Sequence, residues 1–264
     1  MPPSTNGNEI GARAQSTPAG STDVQRALFD KLEPAAECDR IPVTEFLKPL
    51  GTIGWPAEMT RPDIKYFFSK LGSFSQACGA VHRDAIMTVI NYLNATKHLG
   101  ITYGGKLKIP YGLDTFPPGF IESRGLHAYH DASFGKAPHY GGCVVMFNNG
   151  AIDWSANKSK IEALRAAKEE TATPSVAAKK VASCRLMLED AGRAVAGPTP
   201  QLGDCKAVFD IIVKPGSTAR TRYYERATMF VKRLFMLRHV APYLVGTAYM
   251  IADVFTKTQA TRAM

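Results

Sequence analysis

A stretch rich in glycine and proline divides the chain into two parts with different hydrophobic patterns. Residues 104–118 read Gly-Gly-Lys-Leu-Lys-Ile-Pro-Tyr-Gly-Leu-Asp-Thr-Phe-Pro-Pro. This density favours an irregular connection, because proline lacks a backbone N–H and glycine readily adopts turn conformations. We therefore expect a disordered tail at residues 1–25, a first ordered part at 26–103, a linker at 104–122 and a second ordered part at 123–264.

The first ordered part has the periodicity of amphipathic helices. Apolar side chains recur every three or four residues in two segments before Gly100: Ile64, Phe67, Phe68 and Leu71, and then Val81, Ile86, Val89, Ile90 and Leu93. This spacing places them on one face of a helix. The pattern predicts a predominantly helical segment.

The second ordered part begins with three short runs that are typical of strands, at residues 126–131, 142–147 and 151–154. Helices are expected over residues 158–188, 220–237 and 251–257, with a strand near residues 243–245. The predicted order is β-β-β-α-β-α-α-β-α, in which the first three strands form an antiparallel meander. Strands that alternate with helices indicate an α/β domain.

The net charge indicates a class of binding partner, and the cysteine content argues against two kinds of stabilising site. The formal net charge is +9, which favours a polyanion such as nucleic acid. Five cysteines without a Cys-x-x-Cys pair indicate neither a disulfide framework nor a structural zinc site. The sequence has no secretory signal pattern and no apolar run long enough to span a bilayer, so we expect a cytoplasmic or nuclear protein without a membrane partner.

Four acidic residues are candidates for a metal site. They are Asp131 at the end of an apolar strand, Glu170 in the long helix, Asp204 after a short strand and Asp253 in an apolar helix. Two hard divalent cations can hydrolyse a phosphodiester when oxygen ligands converge from different elements. Each acid also has an ordinary explanation, as a turn residue, a solvated helix residue, a helix N-cap or a satisfied polar group. Spacing alone leaves both interpretations open.

Several strings in the chain match a known family. The first is Thr60-Arg61-Pro62-Asp63-Ile64, followed by Tyr92-Leu93-x-x-Thr96-Lys97-x-x-Gly100. The second half carries Ala128-Tyr129-His130-Asp131-Ala132-Ser133 and ends with Ala252-Asp253-Val254-Phe255-Thr256-Lys257. With these strings, residues from about 41 to 257 resemble the C-terminal end of the copia-type retrotransposon polyprotein, which comprises the end of reverse transcriptase and ribonuclease H.

The resemblance implies a fold, a reaction and a partner. The fold would be ribonuclease H-like, a mixed five-stranded sheet flanked by helices, after a small helical remnant of reverse transcriptase. The reaction would be cleavage of the RNA strand of an RNA–DNA hybrid, with two Mg²⁺ or Mn²⁺ ions held by Asp131, Glu170, Asp204 and Asp253. His127 and His130 would either tune this site or pack in the core. The upstream polymerase portion would be a protein partner, because this chain contains no polymerase centre.

A basic segment is expected to contact the hybrid. Residues 206–238 contain eight basic and two acidic residues, with aromatic residues between them. Such a mixture suits phosphate contacts and stacking. The residues chosen as nucleic-acid contacts are Lys158, Arg220, Arg222, Arg226 and Lys257.

Three residues depart from the family pattern and keep an alternative open. Pro174 would clash with the carbonyl of Glu170, so the helix is expected either to kink there or to restart with Thr173 as its N-cap. Cys205 and Lys206 replace an amide-bearing pair, and an ammonium close to the metal ions would oppose their binding. The alternative is therefore a catalytically inactive fragment that still binds nucleic acid.

Overall fold

The computed structural model describes residues 17–20, 22–133, 139–158, 166–214 and 225–258. The helices of this part of the chain are α1 Asp23–Asp30, α2 Val43–Met59, α3 Lys65–Gly72, α4 Ala80–Ala95, α5 Ala166–Asp190, α6 Lys206–Val213 and α7 Glu225–Met236. The strands are β1 His127–Ala132, β2 Tyr140–Phe147, β3 Gly150–Lys158, β4 Thr199–Gly203 and β5 Val240–Leu244. A 3₁₀ turn at Ile251–Phe255 follows β5.

The five strands form one mixed sheet in the order β3-β2-β1-β4-β5. Strands β1, β2 and β3 pair antiparallel, while β4 pairs parallel with both β1 and β5. The β2–β3 hairpin turns at Asn148 and Asn149, whose φ angles of 51° and 70° suit a tight two-residue turn. Parallel strands need a long crossover, which α5 supplies between β3 and β4. The predicted fold class, a mixed five-stranded sheet flanked by helices, is confirmed.

The two faces of the sheet pack against different sets of helices. Tyr129 and Leu202 belong to a cluster with residues of α1 to α4 and of the Ile251–Phe255 turn. Ala128 and Val145 belong to a second cluster with residues of α5, α6 and α7. Because successive strand residues alternate between faces, odd-numbered β1 residues lie on the α1–α4 side. This alternation decides on which side Asp131 lies.

The α1–α4 segment shares its hydrophobic core with the sheet. The indole Nε1 of Trp154 in β3 donates to the backbone oxygen of Ala57 in α2 at 2.7 Å, and both residues are buried. Tyr66 of α3 packs edge-on against Tyr140 of β2, with ring centroids 5.0 Å apart. These contacts join the two parts that the linker separates in sequence.

Two of the strings that carry the family resemblance contact each other. The Arg61 guanidinium forms two hydrogen bonds with the Asp63 carboxylate, at 2.9 and 2.7 Å, and also donates to Thr96. Tyr92 donates its hydroxyl proton to Asp63 at 2.7 Å. Arg61 is buried, so this network satisfies a charge that would otherwise be costly to desolvate. The polar residues of these two strings therefore have a structural role, because together they stabilise the buried Arg61.

Several predicted boundaries differ from the structure. Helix α1 begins at Asp23, inside the predicted tail, because the Thr22 side chain caps it. Lys158 ends β3 and does not begin a helix, since β3 continues its pairing with β2 to that residue. The last helix is only a 3₁₀ turn. The restart at Thr173 is wrong, because α5 runs without interruption through Pro174.

Candidate functional site

Asp131 and Asp204 lie at the carboxyl ends of neighbouring parallel strands. Tyr129 of β1 is in register with Leu202 of β4, and each aspartate follows two residues later. Side chains two residues apart share a face of the sheet, so both aspartates lie on the α1–α4 side. Asp131 is 6% exposed, whereas Asp204 is half-buried. The sequence separates these acids by 73 residues, and the parallel pairing brings their strand ends together.

The Ile251–Phe255 turn brings Asp253 to Asp131. Gly142 of β2 is paired directly with Asp131, and the turn packs on this glycine. A Cβ atom at position 142 would lie 2.4 Å from the Cβ of Phe255. Glycine is therefore required at this position for the turn to approach the sheet so closely. We call Asp131, Asp204 and Asp253 the acidic edge.

A buried threonine holds the Asp131 carboxylate. Thr256, which follows the turn, is 3% exposed, and its hydroxyl donates to Asp131 Oδ2 at 2.5 Å. Thr247 makes an equivalent contact at the exposed part of the site, where its hydroxyl donates to Asp204 Oδ2 at 3.0 Å. Sequence reasoning missed both threonines, because a threonine near an acid in the fold leaves no periodic signal. Gly142 was missed for the same reason.

Lys257 places its ammonium group against the acidic edge. Its Nζ is 2.7 Å from Asp253 Oδ1 and 3.7 Å from Asp131 Oδ2. We predicted Lys257 as a nucleic-acid contact, whereas the structure pairs it with two of the predicted metal ligands. The spacing of four residues between Asp253 and Lys257 is a signal that sequence reasoning could have used, because such residues are neighbours on a helical surface.

Opposing effects set the pKa values of Asp131 and Lys257. Burial raises the pKa of Asp131, and nearby Asp253 raises it further, while Thr256 and Lys257 lower it. Burial lowers the pKa of Lys257, but Asp253, Asp131 and Asp204 together outweigh that effect, so the pKa is raised overall. One ammonium thus compensates a group of carboxylates that repel one another.

The two histidines beside Asp131 have packing roles. His127 donates a hydrogen bond of 2.7 Å from Nδ1 to the backbone oxygen of Gly125. The His130 ring lies over Gly203, on the face opposite Asp131, and a Cβ there would be 2.5 Å from the ring. Burial lowers the pKa of both imidazoles to about 4, which keeps them neutral near pH 7.

Glu170 lies in α5, one turn before Pro174. The carbonyl of Pro174 accepts a hydrogen bond of 2.6 Å from Gln201 Nε2 of β4, which places this part of α5 over the strand that precedes Asp204. The Glu170 side chain lies outside the described part of the structure. Within the described residues, no three His, Cys, Asp or Glu side chains gather closely enough to hold a metal ion.

The remaining predicted contacts are only partly described. Arg220 and Arg222 lie outside the described residues, as does the side chain of Arg226 in α7. Lys158 directs its ammonium to the Ser73 hydroxyl at 3.3 Å and to the Phe74 ring. Lys206 is exposed in the first turn of α6, after Cys205 as its N-cap residue. No described helix is both long and apolar enough to cross a membrane.

Comparisons with known proteins show likenesses but no family. No protein-family model matches the chain. It is 25% identical over 127 residues to Secreted RxLR effector protein 161 of Plasmopara viticola, a match that covers 47% of this chain and 80% of that protein. It is also similar to the crystal structure of RNase H1 from the halophilic archaeon Halobacterium salinarum NRC-1, at 14% identity and a TM-score of 0.33, which covers 50% of this chain and 93% of that chain. Neither likeness assigns the chain to a family.

Proposed function

We propose that the chain is a ribonuclease H-type nuclease of a copia-type retrotransposon polyprotein, which hydrolyses the RNA strand of RNA–DNA hybrids. The acidic edge is the observation that supports this proposal most. There the buried Asp131 and Asp253 contact the same Lys257 ammonium, beside the strand end that carries Asp204. A buried carboxylate held beside another is costly to keep in a fold without a functional use.

The donors of the acidic edge suit hard divalent cations. Carboxylate oxygens are the ligands that Mg²⁺ and Mn²⁺ prefer, and the mutual repulsion of Asp131 and Asp253 would be relieved by such a cation. Asp131, Asp204 and Asp253 would hold the metal ions, and Glu170 would complete the set. When bound, two such ions supply an activated water and neutralise charge on the leaving oxygen.

The protein residues around the acidic edge would fix its orientation. Thr256 anchors Oδ2 of Asp131 and thereby fixes the orientation of the carboxylate. Gly142 allows Asp253 to remain next to Asp131. Since burial keeps His127 and His130 neutral near pH 7, neither is assigned a role in proton transfer.

The proposed substrate follows from charge. The segment from Lys206 to Arg238 carries a large share of the net charge of +9, and Lys206, Arg233 and Arg238 are exposed on it. Lysine and arginine neutralise phosphates without reading base sequence. A hybrid is recognised through its backbone, groove shape and 2′-hydroxyls, so we expect little sequence preference. The upstream polymerase portion of the polyprotein would be the protein partner.

A cleavage assay tests the proposal. The full chain is incubated with an end-labelled RNA–DNA hybrid and Mn²⁺, beside Asp131→Asn and the control Asp210→Asn, whose exposed partner is Lys214 in an i,i+4 pair on α6. Wild type and Asp210→Asn should cut only the RNA strand, and Asp131→Asn should not cut. Cleavage that survives in Asp131→Asn would show that the nuclease centre lies elsewhere.

A second candidate function is that of a nucleic-acid-binding module without activity. Two observations favour it: Lys257 already neutralises Asp253, and no group of three ligands is assembled among the described side chains. This function predicts that the hybrid binds with a steep salt dependence and remains intact in Mn²⁺. Binding that does not change with salt would exclude an electrostatic interface.

A further inference from the structure

The position of Lys257 is the feature of the acidic edge that the proposed function does not use. Its ammonium lies between Asp253 at 2.7 Å and Asp131 at 3.7 Å. The side chain of Asp131 is only 5% exposed, whereas that of Lys257 is 43% exposed. The ammonium thus approaches the buried carboxylate from the solvent side, on a flexible four-carbon stem.

A metal ion that bound both carboxylates would need the space that this ammonium fills. Mg²⁺ sits about 2.1 Å from its oxygen ligands, so an ion shared by Asp131 and Asp253 would overlap the Nζ position. The Lys257 ammonium and a divalent cation at the same two carboxylates would also repel each other. The Lys257 stem can rotate into solvent, since nearly half of the side chain is already exposed.

We propose that Lys257 is a tethered counter-ion, which neutralises the acidic edge in the metal-free chain and must leave before a divalent cation can bind there. This inference rests on the proposed function, because it assumes that the acidic edge is a metal site. Because the ammonium is covalently attached to the chain, it competes with dissolved metal ions at any protein concentration. It therefore raises the metal concentration at which the site is half occupied. The chain would therefore require more metal than the same site without Lys257.

The test measures thermal unfolding, first in EDTA and then in a titration with Mn²⁺ alone. In EDTA, Lys257→Met should unfold about 2–4 °C below wild type, as expected for the loss of an ion pair worth about 1 kcal/mol. The Mn²⁺ concentration that gives half of the full stabilisation should fall about fivefold, which corresponds to the same energy. Lys257→Gln is measured in parallel as the smaller change if the methionine variant folds poorly.

The chain provides a matched control in Lys214→Met. Lys214 forms an i,i+4 pair with Asp210 at 3.4 Å, as Lys257 does with Asp253, but it is 73% exposed and follows α6, which packs on the other face of the sheet. This control should change neither the melting temperature in EDTA nor the Mn²⁺ midpoint.

The outcomes separate this inference from the proposed function. If Mn²⁺ stabilises wild type and Lys257→Met with equal midpoints, Lys257 does not compete with metal and the inference is wrong, while the metal site remains supported. If Mn²⁺ stabilises neither protein, the metal site of the proposed function is refuted together with the inference. Loss of the Mn²⁺ effect in Asp131→Asn would show that the measured ion binds at the acidic edge.

Discussion

Replacing Thr256 by valine removes the hydroxyl that donates to Asp131 and keeps the shape of the side chain nearly unchanged. The bond is 2.5 Å long, and both residues are buried, at 3% and 6% exposure. Hydrogen bonds to charged groups contribute about 1.5–3 kcal/mol. In a chain of this size such a loss corresponds to a fall in melting temperature of about 4–8 °C. Thermal unfolding in EDTA near pH 7 measures it without interference from metal.

The pH dependence of this loss follows from the pKa of Asp131. Burial raises that pKa above its unfolded value of 3.8, so the ionised carboxylate destabilises the fold at neutral pH, and this penalty disappears as the pH falls below both values. Loss of the Thr256 hydroxyl raises the folded pKa further. The destabilisation by Thr256→Val should therefore be complete near pH 7 and much smaller at about pH 4.

A matched substitution controls for the change of threonine to valine. Thr247→Val removes a hydroxyl that donates to Asp204 at 3.0 Å, but this contact is exposed. Water can replace the lost partner there, so the change should cost less than about 0.5 kcal/mol. Equal effects of the two substitutions, or an effect of Thr256→Val that does not change with pH, would refute the assignment of Asp131 as a buried carboxylate held by Thr256.

Two further predictions concern how the acidic edge is held in place. Gly142→Ala should lower the free energy of unfolding in urea by about 1–3 kcal/mol, because the new Cβ would lie 2.4 Å from the Cβ of Phe255. The same substitution should weaken the stabilisation by Mn²⁺. Unchanged stability would show that the Ile251–Phe255 turn moves away freely. Trp154→Phe should cost about 2 kcal/mol, because it leaves the buried oxygen of Ala57 without its indole donor, and a loss below about 0.5 kcal/mol would mean that α2 does not depend on this contact.

The sequence predicted the sheet well because its signals are local. The run that became β2 is short and contains β-branched and aromatic residues, and the proline-containing segment before β4 marks a break. The start of α5 was placed too early, because the residues that end β3 carry no turn signal and strand pairing decides where it stops. Pro174 was expected to kink or interrupt α5, but the helix is continuous from Ala166 to Asp190, and Gln201 of β4 donates to the carbonyl of Pro174.

The acidic edge was only partly predictable. The sequence supplied Asp131, Asp204 and Asp253 as candidates, and family resemblance gave them a common role. The four-residue spacing could have paired Lys257 with Asp253, but the sequence gave no indication that Lys257 would also face Asp131 or that Thr256 would hold Asp131. The contacts of Thr256 and Lys257 with Asp131 join residues more than a hundred positions apart, so no periodicity records them.

By itself, the sequence determined which segments become strands and helices, since apolar periodicity and the positions of glycine and proline act over a few residues. Tertiary structure decided which strand ends meet and which charge neutralises which. The parallel pairing of β1 with β4 sets Asp131 beside the strand end that carries Asp204, and the close contact at Gly142 brings in Asp253 and Lys257. The physical reason is that desolvation and Coulomb interactions depend on distance and burial in the folded chain, and neither quantity is fixed by spacing along the sequence.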